Sequence, residues 1–180
     1  DLLEAGSCFV DLAAEWDVPM LIHSSITPAD IWSQAGDILD VAEARPEVRF
    51  CLAHSCRFDR PSLERLGTLP NTWFDCSAHA IHCDCAVDGL QTVALPDRRL
   101  AADYRRPEEA MKALYDLLPD RMMWGSDAPF YSYVEEKGGK VLRLLSSYER
   151  EVDALKLLNA SEQNSILYEN TVRFLGQAVT

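Results

Sequence analysis

Short apolar runs alternate along this chain with longer stretches whose apolar residues recur at helical spacing. The runs are Val18-Pro19-Met20-Leu21-Ile22-His23, Val48-Arg49-Phe50-Cys51-Leu52-Ala53-His54, Thr72-Trp73-Phe74-Asp75-Cys76-Ser77 and Met122-Met123-Trp124-Gly125-Ser126-Asp127. Each is too short for a typical helix and nearly continuous in its apolarity, the pattern of a strand covered on both faces. The segments between them read as helices. Leu3, Phe9, Ala13 and Trp16 repeat at helical spacing before the break at Asp17-Val18-Pro19, and Ile31, Ile38, Leu39 and Ala42 share a face ahead of Pro46. Pro61 opens a short helix that Gly67 closes. Pro107-Glu108-Glu109 starts another, with proline in the first turn and acids where the helix dipole favours them; Ala110, Met111, Leu114 and Leu118 form its apolar face. Two more helices are predicted near 140–156 and 161–175, and 78–106 reads as a long irregular loop.

Strands that alternate with amphipathic helices predict a parallel sheet covered by helices. Polar residues gather at the carboxyl ends of the strands, where the βα loops of such folds converge on ligands: His23, His54 and Asp127. Period-two alternation places Leu21 with His23, Leu52 with His54 and Gly125 with Asp127, so the three polar ends are expected over a common centre. Four βα units are half of what a closed (β/α)8 TIM barrel contains, and such a barrel takes about 250 residues. The chain also starts at Asp1, directly in a helical pattern. We therefore expect residues 1–180 to be one domain piece, half of a barrel cut from something longer.

Composition narrows the partners. With 17 basic and 29 acidic side chains the net charge is −12, which disfavours nucleic acid or an anionic membrane as the main partner. No apolar run approaches the roughly 20 residues of a membrane span. Six cysteines are too sparse for a disulfide scaffold, and Cys51 and Cys76 sit within apolar runs, so a reducing cytoplasm is the expected compartment.

Two histidines and an aspartate at strand ends are good donors for a divalent metal, which lowers the pKa of a bound water to about 7. Pro19-Met20-Leu21-Ile22-His23, Leu52-Ala53-His54, Gly125-Ser126-Asp127-Ala128-Pro129 and the closing Glu169-Asn170-Thr171-Val172-Arg173-Phe174-Leu175 resemble the amidohydrolase-related family of metal-dependent barrel hydrolases and decarboxylases, including the aminocarboxymuconate-semialdehyde decarboxylase type. The resemblance spans nearly the whole chain and matches the family's strands five to eight. It implies His23 as a metal ligand, Asp127 as the carboxylate that binds the metal or handles the proton of its water, and His54 as a second ligand or a hydrogen-bonding acid/base. The implied metal is zinc, with manganese as the alternative, and the implied substrate is a small molecule: an organic acid, ester, lactone or amide. The family's His-x-His pair, which supplies two ligands from the first strand, is absent from this sequence. That absence leaves a catalytically incomplete fragment or interaction module as the alternative reading. The open half-barrel edge and the resemblance point to a homodimer.

The loop over 78–106 is expected to lie across the site mouth as a lid. Arg98, Arg99, Arg105 and Arg106 concentrate there, and one of them, Arg105 by preference, is expected to clamp a substrate carboxylate. The competing reading pairs them with Asp97 and Asp103. His79 is a candidate substrate contact just past the third strand; Phe130 and Tyr131 are candidates for lining the pocket. The cluster His79, His82, Cys83 and Cys85 is the basis of a rival reading as a small zinc or thiol module. Asp75 either supports a neighbouring histidine or makes a structural hydrogen bond, and Asn170 reads as a helix–loop hydrogen bond.

Overall fold

The structure, a computed structural model, describes residues 2–4, 6–130, 132–137 and 140–179. Helix α1 (Ser7–Glu15) leads into β1 (Met20–Ile22); α2 (Ala35–Ala44) leads into β2 (Phe50–Leu52), and α3 (Arg60–Thr68) into β3 (Thr72–Asp75). Then α4 (His79–Val87) and α5 (Pro107–Leu117) precede β4 (Met122–Met123). The four strands pair in parallel in chain order, each next to its predecessor. This is the singly wound half of a (β/α)8 barrel, as the sequence predicts.

Register decides which side chains meet. Leu21, Cys51 and Trp73 lie in one row, and Ile22, Leu52, Phe74 and Met122 in the next. The second row faces the helices and packs with Ile38, Leu39, Leu63, Leu66, Met111 and Leu114. Phe50 joins Val10, Ala13, Val41 and Ala42 under α1 and α2. On the opposite, barrel-side face, Phe174 covers Cys51, Trp73 and Met123, while Leu21 is left 64% exposed.

Beyond β4 the chain departs from expectation. An antiparallel hairpin, β5 (Ser132–Lys137) with β6 (Lys140–Leu145), takes the place of the first part of the helix predicted over 140–156. Val141, Leu142, Leu144 and Leu145 satisfy a helical period as readily as a strand, so periodicity alone does not separate the two. Helix α6 (Tyr148–Asp153) then returns to α4. Arg150 donates from both terminal nitrogens to Asp84 at 2.6 Å, and the fully buried Glu151 accepts from Ser146 Oγ and the Ala80 N–H. Helix α7 (Ala160–Asn164), a π-helical turn (Ser165–Glu169) and α8 (Asn170–Phe174) close the fold. The π turn frees the Ile166 carbonyl to accept the Trp124 N–H at the edge of β4 (3.0 Å). Asn170 donates to the Pro119 and Met122 carbonyls, the helix–loop role expected of it.

The stretch 78–106 is not one long loop. Helix α4 opens it, and seven of its nine residues are buried, His79, His82, Cys83 and Cys85 among them. A helix enclosed on nearly every side has no polar stripe, so it carries no amphipathic signal. All six cysteines are free thiols, and burial pushes those of Cys83 and Cys85 up. Among the described residues no three His, Cys, Asp or Glu side chains converge as a metal site, those of α4 included. Gly67 lies inside α3 and not beyond its end; a Cβ there would meet Leu118 Cδ2 at 2.6 Å, a contact the half-buried leucine side chain would have to shift to admit.

His79 is 1% exposed, donates Nε2–H to the Pro107 carbonyl at 2.8 Å, and packs edge-on to Phe58. Burial lowers its pKa to about 4. An unfolded histidine titrates near 6.5, so between these values the unfolded chain binds a proton that the folded chain refuses. Its stabilising contribution is therefore complete above about pH 6.5 and is lost as the pH falls to about 4. Replacing His79 by Leu is expected to flatten the stability–pH profile between pH 6 and 4.5 by about one proton, about 1.4 kcal/mol per pH unit. Urea unfolding at several pH values measures this, and an unchanged slope would count against the assignment.

Candidate active site

His23 follows β1 directly, and strand alternation turns it to the barrel side, in the row of Ala53 and Asp75. For His54 the same rule gives the opposite answer. Leu52 faces the helices, so a continued strand would send His54 to that side as well. A left-handed turn redirects it. His54, Ser55, Cys56, Arg57 and Phe58 all hold positive φ, from 46° to 68°, and none is glycine. His54 is thereby brought back to the barrel side, with its Nε2 3.1 Å from His23 Nδ1, and Arg57 enters the same space. Single left-handed residues also follow β3 (Ala78, φ 55°) and β4 (Asp127, φ 63°). Backbone strain of this kind concentrates at functional sites.

Several bonds hold the turn. Asp75 Oδ1 accepts the His54 N–H, and Ser55 Oγ donates to the Asp75 carbonyl. The segment after α4 braces the other side. Ala94 N–H donates to the Arg57 carbonyl, Leu100 N–H to that of Phe58, and Arg60 N–H to that of Arg98, each at 3.0 Å. Arg98 also clasps the buried Asp59 with two bonds of 2.8 and 2.9 Å, while Asp59 caps α3. The stretch expected to act as a lid is thus a brace. Arg98 pairs with Asp59 and not Asp97, and Arg99 donates to the Ala94 and Ala86 carbonyls.

His23, Arg57, Ala78, Ile81, His82, Asp127 and Phe130 line a cavity of about 260 Å³ at the carboxyl ends of the strands. A second cavity of about 440 Å³ shares Arg57, Ile81 and His82 and runs past Asp30 and Trp32 to Cys85. Arg57 stands between the two. Its Nε donates to the Ser24 carbonyl, Nη1 to His82 Nε2, and Nη2 lies 3.5 Å from His23 Nε2. Among the described residues it makes no ion pair within 4.0 Å.

Electrostatics separate the groups. Burial, with the Arg57 charge, lowers the pKa of His23 and takes that of His54 to about 4. Both rings are neutral at pH 7. Burial and then the nearby Asp75 charge raise the pKa of Asp127, which increases its affinity for a proton. Asp30 Oδ2 lies 3.7 Å from His23 Nε2, so a ring nitrogen and carboxylate oxygens share one small region, a donor chemistry suited to a cation. His23 and Asp127 line one cavity and are donor types a divalent metal takes; among the described residues no group of three such side chains is placed to hold one.

The structure therefore gathers His23, Asp127 and Phe130 around one cavity and sets His54 beneath it. It does not bring His79 there: the ring is enclosed in the core and spent on Pro107. Arg105 is exposed on the loop, where its N–H bonds Asp103, and does not line this cavity. Tyr131 lies outside the described residues. Arg57 and Ser77 escaped sequence reasoning, and His82, weighed there as part of a zinc or thiol module, lines this cavity instead. Arg57 sits three residues beyond His54, but nothing in a glycine-free run announces a left-handed turn.

The described residues thus form a four-stranded parallel half-barrel with histidines and an aspartate at its strand ends. The chain belongs to the amidohydrolase family, whose profile it matches over residues 3–177. No curated relative matches it. Among solved structures it is similar to a zinc-bound amidohydrolase from Burkholderia multivorans (17% identity, 93% of this chain, 55% of that one, TM-score 0.59). It is also similar to dihydroorotase from Campylobacter jejuni (17%, 100%, 54%, 0.62) and to amidohydrolase 2 from Bifidobacterium longum subsp. infantis (16%, 92%, 52%, 0.55). The chain spans about half the length of these structures. No helix among the described residues is long and apolar enough to cross a membrane.

The strained turn makes a prediction at Ser55, which is 2% exposed. Glycine there relieves about 1 kcal/mol of left-handed strain and loses one hydrogen bond of about 1 kcal/mol, so Ser55→Gly is expected to be close to neutral. A β-branched side chain is poorly suited to positive φ, and Ser55→Val is expected to cost about 2 kcal/mol or more in urea unfolding. Equal stability of the two variants would refute the left-handed geometry.

Proposed function

We propose that this chain forms the carboxyl-terminal half of the active site of a metal-dependent hydrolase or decarboxylase. The observation that carries this is the cavity in which His23, Asp127 and Arg57 meet at the carboxyl ends of the strands. In this reading His23 and Asp127 hold a divalent metal, zinc by preference, with further donors from outside these 180 residues. Bound there, the metal would supply Lewis acidity and an ionised water at neutral pH.

The chain's own residues account for the rest. Asp127, with its raised proton affinity, takes and returns the proton of the attacking group. His54, neutral and beneath His23, receives the His23 Nδ1–H and keeps that ring in place. Among the described residues Arg57 makes no ion pair within 4.0 Å, and it faces both cavities, so it receives an acidic group of the substrate, the part assigned from sequence to Arg105. Phe130 forms the apolar wall. The substrate class is a small organic acid or its ester, lactone or amide.

Replacing Asp127 by Ala in the full-length protein is expected to lower metal-dependent kcat about 100-fold or more. Unchanged turnover would dispose of the reading. Replacing Arg57 by Lys is expected mainly to raise KM for an acidic substrate, because an ammonium keeps the charge but not the two-pronged geometry. Steady-state kinetics against the substrate and its uncharged amide would separate the two effects.

A further inference from the structure

We infer that Asp75 and Ser77 are positioning residues that set the tautomers of His54 and His23, and so keep the Nε2 lone pair of His23 turned to the cavity. Three donors converge on Asp75 Oδ1: the His54 N–H at 3.2 Å, the Ser77 N–H at 2.9 Å and Ser77 Oγ at 2.5 Å. A carboxylate only accepts, so the single hydroxyl proton of Ser77 is spent on Asp75. Ser77 Oγ must then accept from its other neighbour, His54 Nδ1, at 2.9 Å. The Ser77 carbonyl lies 3.2 Å from the same nitrogen and also only accepts. Both contacts require the proton of His54 to sit on Nδ1.

The consequence passes along the chain of rings. A neutral imidazole carries one N–H, so His54 Nε2 is a lone pair. His23 Nδ1, 3.1 Å away, must donate to it, and His23 Nε2 is left bare. Arg57 Nη2, a pure donor, faces that bare nitrogen at 3.5 Å, which agrees with the assignment. The other two histidines follow from their own partners. His82 Nε2 accepts from Arg57, so its proton is also on Nδ1, whereas His79 donates Nε2–H to the Pro107 carbonyl. The four histidines of the chain should therefore divide into three Nδ1–H rings and one Nε2–H ring, although free histidine favours the latter form. The value of this to a metal rests on the reading of His23 given above; the tautomers themselves do not.

Two-bond proton–nitrogen correlation of the imidazole rings tests this on the ¹⁵N-labelled protein without metal, at pH about 8, above the ordinary histidine pKa of about 6.5. The expected spectrum shows Nδ1–H forms for His23, His54 and His82 and the Nε2–H form for His79. Ser77→Ala removes one of the two acceptors and should lower the ratio of Nδ1–H to Nε2–H at His54 by about tenfold, with His23 following. Ser77→Thr, which keeps the hydroxyl, should restore it, and His79 should not respond. In the full-length protein Ser77→Ala should weaken zinc binding about 10- to 100-fold. An Nε2–H form at His54 or His23 in the unmodified protein overturns the inference, and that spectrum decides even if Ser77→Ala fails to fold. Ring patterns that Ser77→Ala leaves unchanged overturn it as well. If the tautomers are as stated but the full-length protein binds no zinc, the metal reading fails and the positioning inference stands.

Discussion

The site depends on a turn that the backbone does not favour. Left-handed geometry costs an L-residue about 1–2 kcal/mol, and five consecutive non-glycine residues after β2 adopt it. Without it, the parity of β2 would carry His54 to the helix side with Leu52, away from His23. The surrounding structure holds it there by enclosing Cys56 and Phe58 in the core, tying His54 and Ser55 to Asp75, and fastening the outer side to Ala94 and Leu100. The stretch between α4 and α5 thus contributes to the site mainly by holding its backbone from behind. Its role is to make an unfavourable conformation the only one that fits.

Within that frame the charges are arranged economically. One guanidinium, held by a backbone carbonyl and two imidazoles, stands among neutral rings, and Asp127 and Asp30 lie near enough to feel it. Burial keeps the rings neutral, and the guanidinium reinforces this. The histidines are consequently lone-pair donors at neutral pH, and the positive charge available to a ligand is concentrated on a single planar group.

How much of this could be read in advance follows from parity and burial. The four strands, their parallel order and the polar strand ends were legible because a short apolar run ending in His or Asp has few other interpretations. His23 was placed correctly because simple alternation holds in β1. His54 reached the predicted place by a route alternation does not describe, and Arg57 came with it unseen. Helix α4 was hidden by being buried nearly all round, and its His79 and Cys83, which invited a chemical reading, form part of the core. Periodicity could not distinguish the hairpin from a helix because Val141 to Leu145 satisfy both. Arg105 drew attention as one of several arginines in an acidic chain, yet density of charge in a loop says little about where a side chain ends.

The π turn at Ser165–Glu169 has a consequence for the outer edge of β4. Its Ile166 carbonyl takes the Trp124 N–H, so a strand laid along that edge would find this donor already spent and the ladder stopped at Met123.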